Sequence, residues 1–125
     1  MFLEELVKNP TSRGLELDFN KRVADTGVML GHDCFGHDVR IDAMGWMGQP
    51  EWRKMAAIYE LCEAGYSEQI TLGTDTYLKL LTRRFGGRGY RHLTENVLAQ
   101  CHALGMAEKD TLNMSVYNPA RLLAR

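Results

Sequence analysis

Asp33 closes the run Val28-Met29-Leu30-Gly31-His32-Asp33 and Asp75 closes Ile70-Thr71-Leu72-Gly73-Thr74-Asp75, so Leu-Gly-x-Asp occurs twice in the chain. A carboxylate at the end of a buried strand can hold a divalent cation or take a proton from an attacking water. One acid by itself does neither well, so its neighbours decide the chemistry. His32, Asp33, Cys34, His37 and Asp38 put metal-capable side chains close together in sequence, but in no standard zinc spacing. Side chains alternate along a strand, so His32 falls on the opposite face from Asp33, and a helix-facing histidine beside a pocket acid is the simpler reading. Cys34 as a nucleophile lacks a base oriented by a third group.

These residues need elements to position them. Each acid-terminated run reads as a buried parallel strand, and each is followed by a loop and a helical pattern. After Asp33 the stretch through Gly45-Trp46-Met47-Gly48-Gln49-Pro50 is glycine-punctuated and rich in large side chains, too irregular for regular structure and suited to a substrate pocket. From Pro50 or Glu51 a helix is predicted, with Trp52, Met55, Ala56, Tyr59 and Cys62 on one stripe, Ile58 and Leu61 broadening it, and Gly65 ending it. Core packing is the reading of those aromatics. The second strand places Thr71, Gly73 and Asp75 on one face and Ile70 and Leu72 on the other, beneath the helices. The same parity pairs Gly31 with Asp33. Residues 77–85 read as a helix and Gly86-Gly87-Arg88-Gly89 as a tight loop. Leu93, Val97, Cys101 and Leu104 mark the next helix face, and Asn118-Pro119 reads as a cap and first turn of a last short helix over 120–124. Near the start, residues 18–25 are helix-compatible, with Asp18 a candidate cap.

Acids at the carboxyl ends of parallel strands are how a βα barrel arms its catalytic rim. A complete eight-stranded barrel needs roughly 250 residues, whereas this chain has 125 and a mass of 14.2 kDa. The expected fold class is therefore α/β, an incomplete βα barrel with C-terminal helices.

The composition excludes several classes. A formal net charge of −1 and a pI near 6.4 remove the electrostatic case for nucleic acid, and the Arg83, Arg84, Arg88 and Arg91 cluster reads as a solvated loop or an anion contact. Cys34, Cys62 and Cys101 are odd in number and show no Cys-x-x-Cys spacing, which fits a reducing compartment rather than a disulfide framework. No apolar run approaches the ~20 residues that cross a bilayer, and the acidic start is unlike a signal peptide. The expectation is a cytoplasmic protein with no membrane partner.

Taken jointly, Gly65-Tyr66, the run ending at Asp75, Lys79, Phe85-Gly86-Gly87-Arg88-Gly89-Tyr90-Arg91-His92, Gly105 and Asn118-Pro119-Ala120-Arg121 resemble the C-terminal end of the phosphotriesterase family of the amidohydrolase superfamily. The likeness runs from about Asn20 to Arg125, and it implies that the chain is the last two βα units of a (β/α)8 TIM barrel, with residues 18–125 as that C-terminal portion and 1–17 a divergent N-terminal segment. It implies a metal-dependent hydrolase with two divalent metals, usually zinc, bridged by a hydroxide that attacks an ester, lactone or phosphoester. Asp75 matches the family's aspartate at the end of the eighth strand, which the resemblance makes both metal ligand and general base, hence the catalytic and metal residue of this chain. The family's other ligands, a His-x-His, a lysine and two single histidines on earlier strands, have no counterpart among His32, His37, His92 and His102. Asp33, Phe35, Trp46, Tyr77 and Arg88 are the substrate-pocket candidates.

Besides an autonomous metal enzyme using the His32 to Asp38 loop, two readings of the whole chain follow. In one it is a C-terminal fragment of such a hydrolase, inactive alone and completed by an N-terminal barrel fragment. In the other it is a non-catalytic remnant or binding module that self-associates, because two parallel strands leave open edges and an apolar face. The partners expected are a small ester-type substrate and either that fragment or further copies of the chain.

Overall fold

A computed structural model describes residues 17–37, 40–41, 46–47 and 50–124. The N-terminal segment expected over 1–17 lies outside the described residues apart from Leu17. The elements run α1 (Leu17–Ala24), β1 (Leu30–His32), β2 (Arg40–Ile41), β3 (Trp46–Met47), α2 (Glu51–Glu63), β4 (Ile70–Leu72), α3 (Leu98–Ala103), α4 (Glu108–Leu112) and α5 (Asn118–Leu123). β1 and β4 pair in parallel, Leu30 opposite Ile70 and His32 opposite Leu72, with α2 in the crossover. This is a mixed α/β fold built on a βαβ unit. β2 and β3 form a small antiparallel pair, Ile41 opposite Trp46, in the stretch whose glycines predicted irregular structure. Two ladder positions suffice for it.

The face alternation settles which side of the sheet carries the core. Ile70 is fully buried, and Leu30 and Leu72 pack with it against Met55, Ile58, Leu61, Val97, Cys101 and Met114. Each large aliphatic side chain removed from water there contributes about 1.5–3 kcal/mol. The α2 stripe is turned slightly from its predicted centre: Met55, Ala56, Ala57, Ile58, Leu61 and Cys62 are buried while Trp52 is 40% exposed. Trp52 lies in the first turn, at the margin of the packed face, beside the Arg53 guanidinium.

α2 ends as its sequence predicts. Gly65 takes a left-handed φ of 92°, its N–H donates to the carbonyl of Cys62, and the Tyr66 N–H reaches back to that of Leu61. Those two bonds satisfy carbonyls that a helix end otherwise leaves bare.

The segment after β4 departs from the predicted single helix. It forms two 3-10 turns, Lys79–Leu81 and Arg83–Phe85, separated by an extended Thr82. The Thr82 hydroxyl donates to the carbonyl of Lys79, a local side-chain bond of the kind that competes with helix propagation. The loop then folds back so closely that a Cβ on Gly87 would lie 2.1 Å from the carbonyl carbon of Leu81. Only glycine fits.

Asn118 is not a cap. A π-helical turn, Asn113–Tyr117, joins α4 directly to α5, so Asn118 lies inside a continuous helix. Pro119 follows it, where its missing N–H cannot complete the ladder. The Asn118 side chain is buried and donates to the carbonyls of Ser67 (2.8 Å) and Ile70 (2.7 Å), while its own oxygen accepts from Arg121. It ties the last helix to β4. A second π-helical turn, Leu93–Val97, leads into α3.

Candidate functional site

The site begins where β1 ends. Gly73 donates its N–H to the carbonyl of His32 and accepts at its own carbonyl from the N–H of Phe35. In a regular parallel ladder the second bond would come from Cys34. One extra residue therefore sits opposite Gly73, a β-bulge formed by Asp33 and Cys34, and Cys34 adopts a left-handed φ of 61° to make it. The bulge overrides strict alternation. It brings Cys34 to the same side as Asp33, where its Sγ lies 3.6 Å from Oδ2 of Asp75.

Asp75 is itself left-handed, with φ 44°, an uncommon geometry for a residue with a side chain. Its carboxylate, that of Asp33 and the Cys34 sulfur all lie within 4.8 Å of one another. Among the described residues this is the group of three or more side chains able to hold a metal ion. Both acids are exposed, so a cation reaches them without crossing the core.

Lys54 of α2 clamps the bulge from behind. Its ammonium donates to the carbonyls of Asp33 (3.3 Å) and Cys34 (2.5 Å) and lies 5.5 Å from the centre of the Phe35 ring. Desolvation, then the hydrogen bond to Asp33 and its charge, push the Cys34 thiol up to about 11, against the opposing pull of Lys54. In the metal-free chain Cys34 is therefore a thiol that donates to carboxylate, not a ready nucleophile. Burial lowers the His32 pKa, with the charge of Asp33 opposing it.

The loops at this end share a second support. His92 is buried, its Nε2 2.6 Å from Oε1 of Glu51 at the start of α2 and its Nδ1 3.2 Å from the Asn96 amide. Arg88 approaches the same Glu51 oxygen at 3.8 Å. Gly36 rests on this pair, since a Cβ there would be 3.3 Å from Cβ of Arg88 and 3.4 Å from Cδ2 of His92. The loop after β1, the start of α2 and the loop after β4 thus meet on one ionic network.

The sequence candidates divide as follows. Asp33 and Asp75 come together in the cluster. Tyr77 is exposed, its ring 5.5 Å from that of His37, and the Tyr90 hydroxyl braces the carbonyl of Thr76 nearby. Arg88 joins the Glu51 network. Phe35 is buried in the hydrophobic core. Trp46 belongs to β3, and its side chain lies outside the described part. Lys54 and the Glu51–His92 pair escaped the sequence reading. Cys34 was named among the metal-capable side chains of the 32–38 stretch, but its meeting with Asp75 was not foreseen, because alternation assigns it to the other face.

A family model of the phosphotriesterase family matches residues 9–123. The chain belongs to that family. Relatives include an N-acetyltaurine hydrolase of Dictyostelium discoideum, 33% identical over 80% of this chain and 28% of the relative, and a phosphotriesterase-related protein of Aedes aegypti, 28% identical over 80% and 29%. Among solved structures, a resiniferatoxin-binding protein from Rhodobacter sphaeroides superposes with a TM-score of 0.80 at 26% identity, over 91% of this chain and 31% of the other. A lactonase from Listeria monocytogenes gives 0.68 at 27%, over 87% and 32%. This phosphotriesterase-family chain spans about a third or less of the length of these relatives. The family is metal-dependent, and the Asp33–Cys34–Asp75 donors fit a divalent cation in both charge and proximity. Among the described residues no helix is long and apolar enough to cross a membrane.

Proposed function

We propose that this chain is the C-terminal part of a cytoplasmic metal-dependent hydrolase, the last two βα units of an eight-stranded barrel, acting on an ester, lactone, amide or phosphoester bond of a small molecule. The observation that carries the reading is the convergence of Asp75 with Asp33 and Cys34 at the carboxyl ends of two parallel strands. The hydrolase and lactonase names of the relatives support the bond class. A bound cation, zinc by the family's habit, would supply Lewis acidity toward the scissile group and lower the pKa of a bound water.

This chain's own residues do the rest. Asp75 would hold the cation and take the proton of the attacking water. Lys54 keeps the bulge in place. Tyr77 and Arg88, on the loop after β4, and Trp46 are the candidate substrate contacts. The remaining strands, and the other ligands, come from a complementary N-terminal barrel portion. Both outer edges of the β1–β4 pair are open among the described residues, which is where such strands would add. The same edges favour the alternative, a non-catalytic chain that covers them with further copies of itself.

The test is complementation. The chain is assayed with zinc against lactones, aryl esters, N-acyl amines and phosphotriesters, alone and mixed with the N-terminal portion of the Dictyostelium relative. Hydrolysis that appears only in the mixture and is lost in Asp75→Asn supports the first reading. A stable homo-oligomer that ignores the added portion, and no turnover in any mixture, overturns it in favour of the second.

A further inference from the structure

We infer that Cys34 is itself a metal ligand, its sulfur joining Asp33 and Asp75 to make a mixed thiolate–carboxylate centre. The inference rests on the metal-holding reading given above and adds to it the donor that sets which cation binds.

Distance and placement carry it. Cys34 Sγ and Asp75 Oδ2 are 3.6 Å apart. Around a tetrahedral zinc with Zn–S about 2.3 Å and Zn–O about 2.0 Å, a sulfur and an oxygen ligand stand ~3.5 Å apart. The pair already has the separation of two ligands on one ion. The third donor, from Asp33, lies within 4.8 Å of both, close enough for a side-chain rotation to complete a three-point grip. Plain strand alternation would have pointed the sulfur into the opposite face. The extra residue opposite Gly73 brings it here instead, and Lys54 engages both carbonyls of the turn. The family's metal dependence is the independent reason to place a cation at this spot.

The chemistry follows from the donor set. On binding, the Cys34 S–H bond breaks, the proton leaves to solvent and the sulfur lone pair goes to the cation, with no change of oxidation state. A thiolate among carboxylates shifts preference toward zinc, cobalt and cadmium and away from magnesium and calcium. The other two sulfhydryls are buried in the core, Cys62 against Met114 and Cys101 beside Val97 in the same cluster, so a sulfur signal from the site belongs to Cys34.

The 125-residue chain is titrated with cobalt(II) and followed by absorption. The expected result is a thiolate-to-cobalt charge-transfer band in the near ultraviolet together with visible ligand-field bands. In Cys34→Ser the charge-transfer band disappears, the ligand-field bands persist, and zinc affinity in competition falls by at least the ~10–100-fold that loss of even an outer partner costs. Magnesium binding changes little in the same variant. Ligand-field bands without charge transfer in the parent chain, or a charge-transfer band surviving in Cys34→Ser, overturn the inference while leaving the metal-holding reading intact. No cobalt bands at all, with the chain folded by circular dichroism, overturn both.

Discussion

The Nε2 of His92 lies 2.6 Å from Oε1 of Glu51, joining the loop after β4 to the first turn of α2. Bonds to an ionised partner contribute about 1.5–3 kcal/mol when buried. A double-mutant cycle with Glu51→Ala and His92→Ala should therefore show non-additivity: the double variant loses about 1–2 kcal/mol less than the two single losses combined. Urea unfolding measures it. Strict additivity would show that the contact does not couple the two loops.

Asn118→Ala removes the donor from two buried carbonyls, those of Ser67 and Ile70. Unsatisfied buried acceptors cost about 1–3 kcal/mol each, so a loss of roughly 2–4 kcal/mol is expected. The urea midpoint should drop with the slope unchanged. An effect below about 1 kcal/mol, the size of an ordinary lost cap, would mean that the residue does not anchor α5 to β4.

Gly87→Ala places a methyl group against the main chain of Leu81, which must move. Overpacking of this kind costs about 1–3 kcal/mol. Thermal melting should show the loss, whereas Gly27→Ala, where no atom lies within 4 Å of the added Cβ, meets only the backbone penalty at its φ of 85°. Equal losses at the two positions would argue that the close approach is not a constraint.

Burial pushes Cys62 up to about 12 and Cys101 up to about 11, above the ordinary thiol value of 9.0. The folded chain therefore keeps protons that the unfolded chain gives up. Their contribution is complete below pH 9 and is lost as pH rises from there through the folded values. The urea midpoint should decline above about pH 9, and less steeply in the Cys62→Ala, Cys101→Ala double variant. Parallel pH profiles for parent and variant would contradict it.

Much of the frame was legible in the residues themselves. Ile70, Leu72 and Leu30 announced the helix-facing side because each is apolar at a spacing of two from its neighbours, and packing enforces that parity. Gly65 marked its helix end because a left-handed position excludes most side chains. Where sequence reading fell short, a side-chain hydrogen bond had displaced a regular pattern. Thr82 spends its hydroxyl on Lys79, dividing the predicted helix. Asn118, in the position of a cap before proline, turns its amide to β4 instead. At the site, Asp33 and Asp75 stood out as strand-ending acids, but Cys34 did not, since an inserted residue is invisible to a rule that counts by twos.

That inserted residue links the length of the segment to what it can bind. Were Cys34 deleted, Phe35 would slide back one place to pair regularly with Gly73, and its ring would stay on the core face, because the regular place after Asp33 faces the helices. The extra residue therefore adds a sulfur to the open side while leaving the ring at home. Shortening here would forfeit the donor atom and spare the core side chain, so a variant lacking Cys34 should lose cation binding while keeping its core packing.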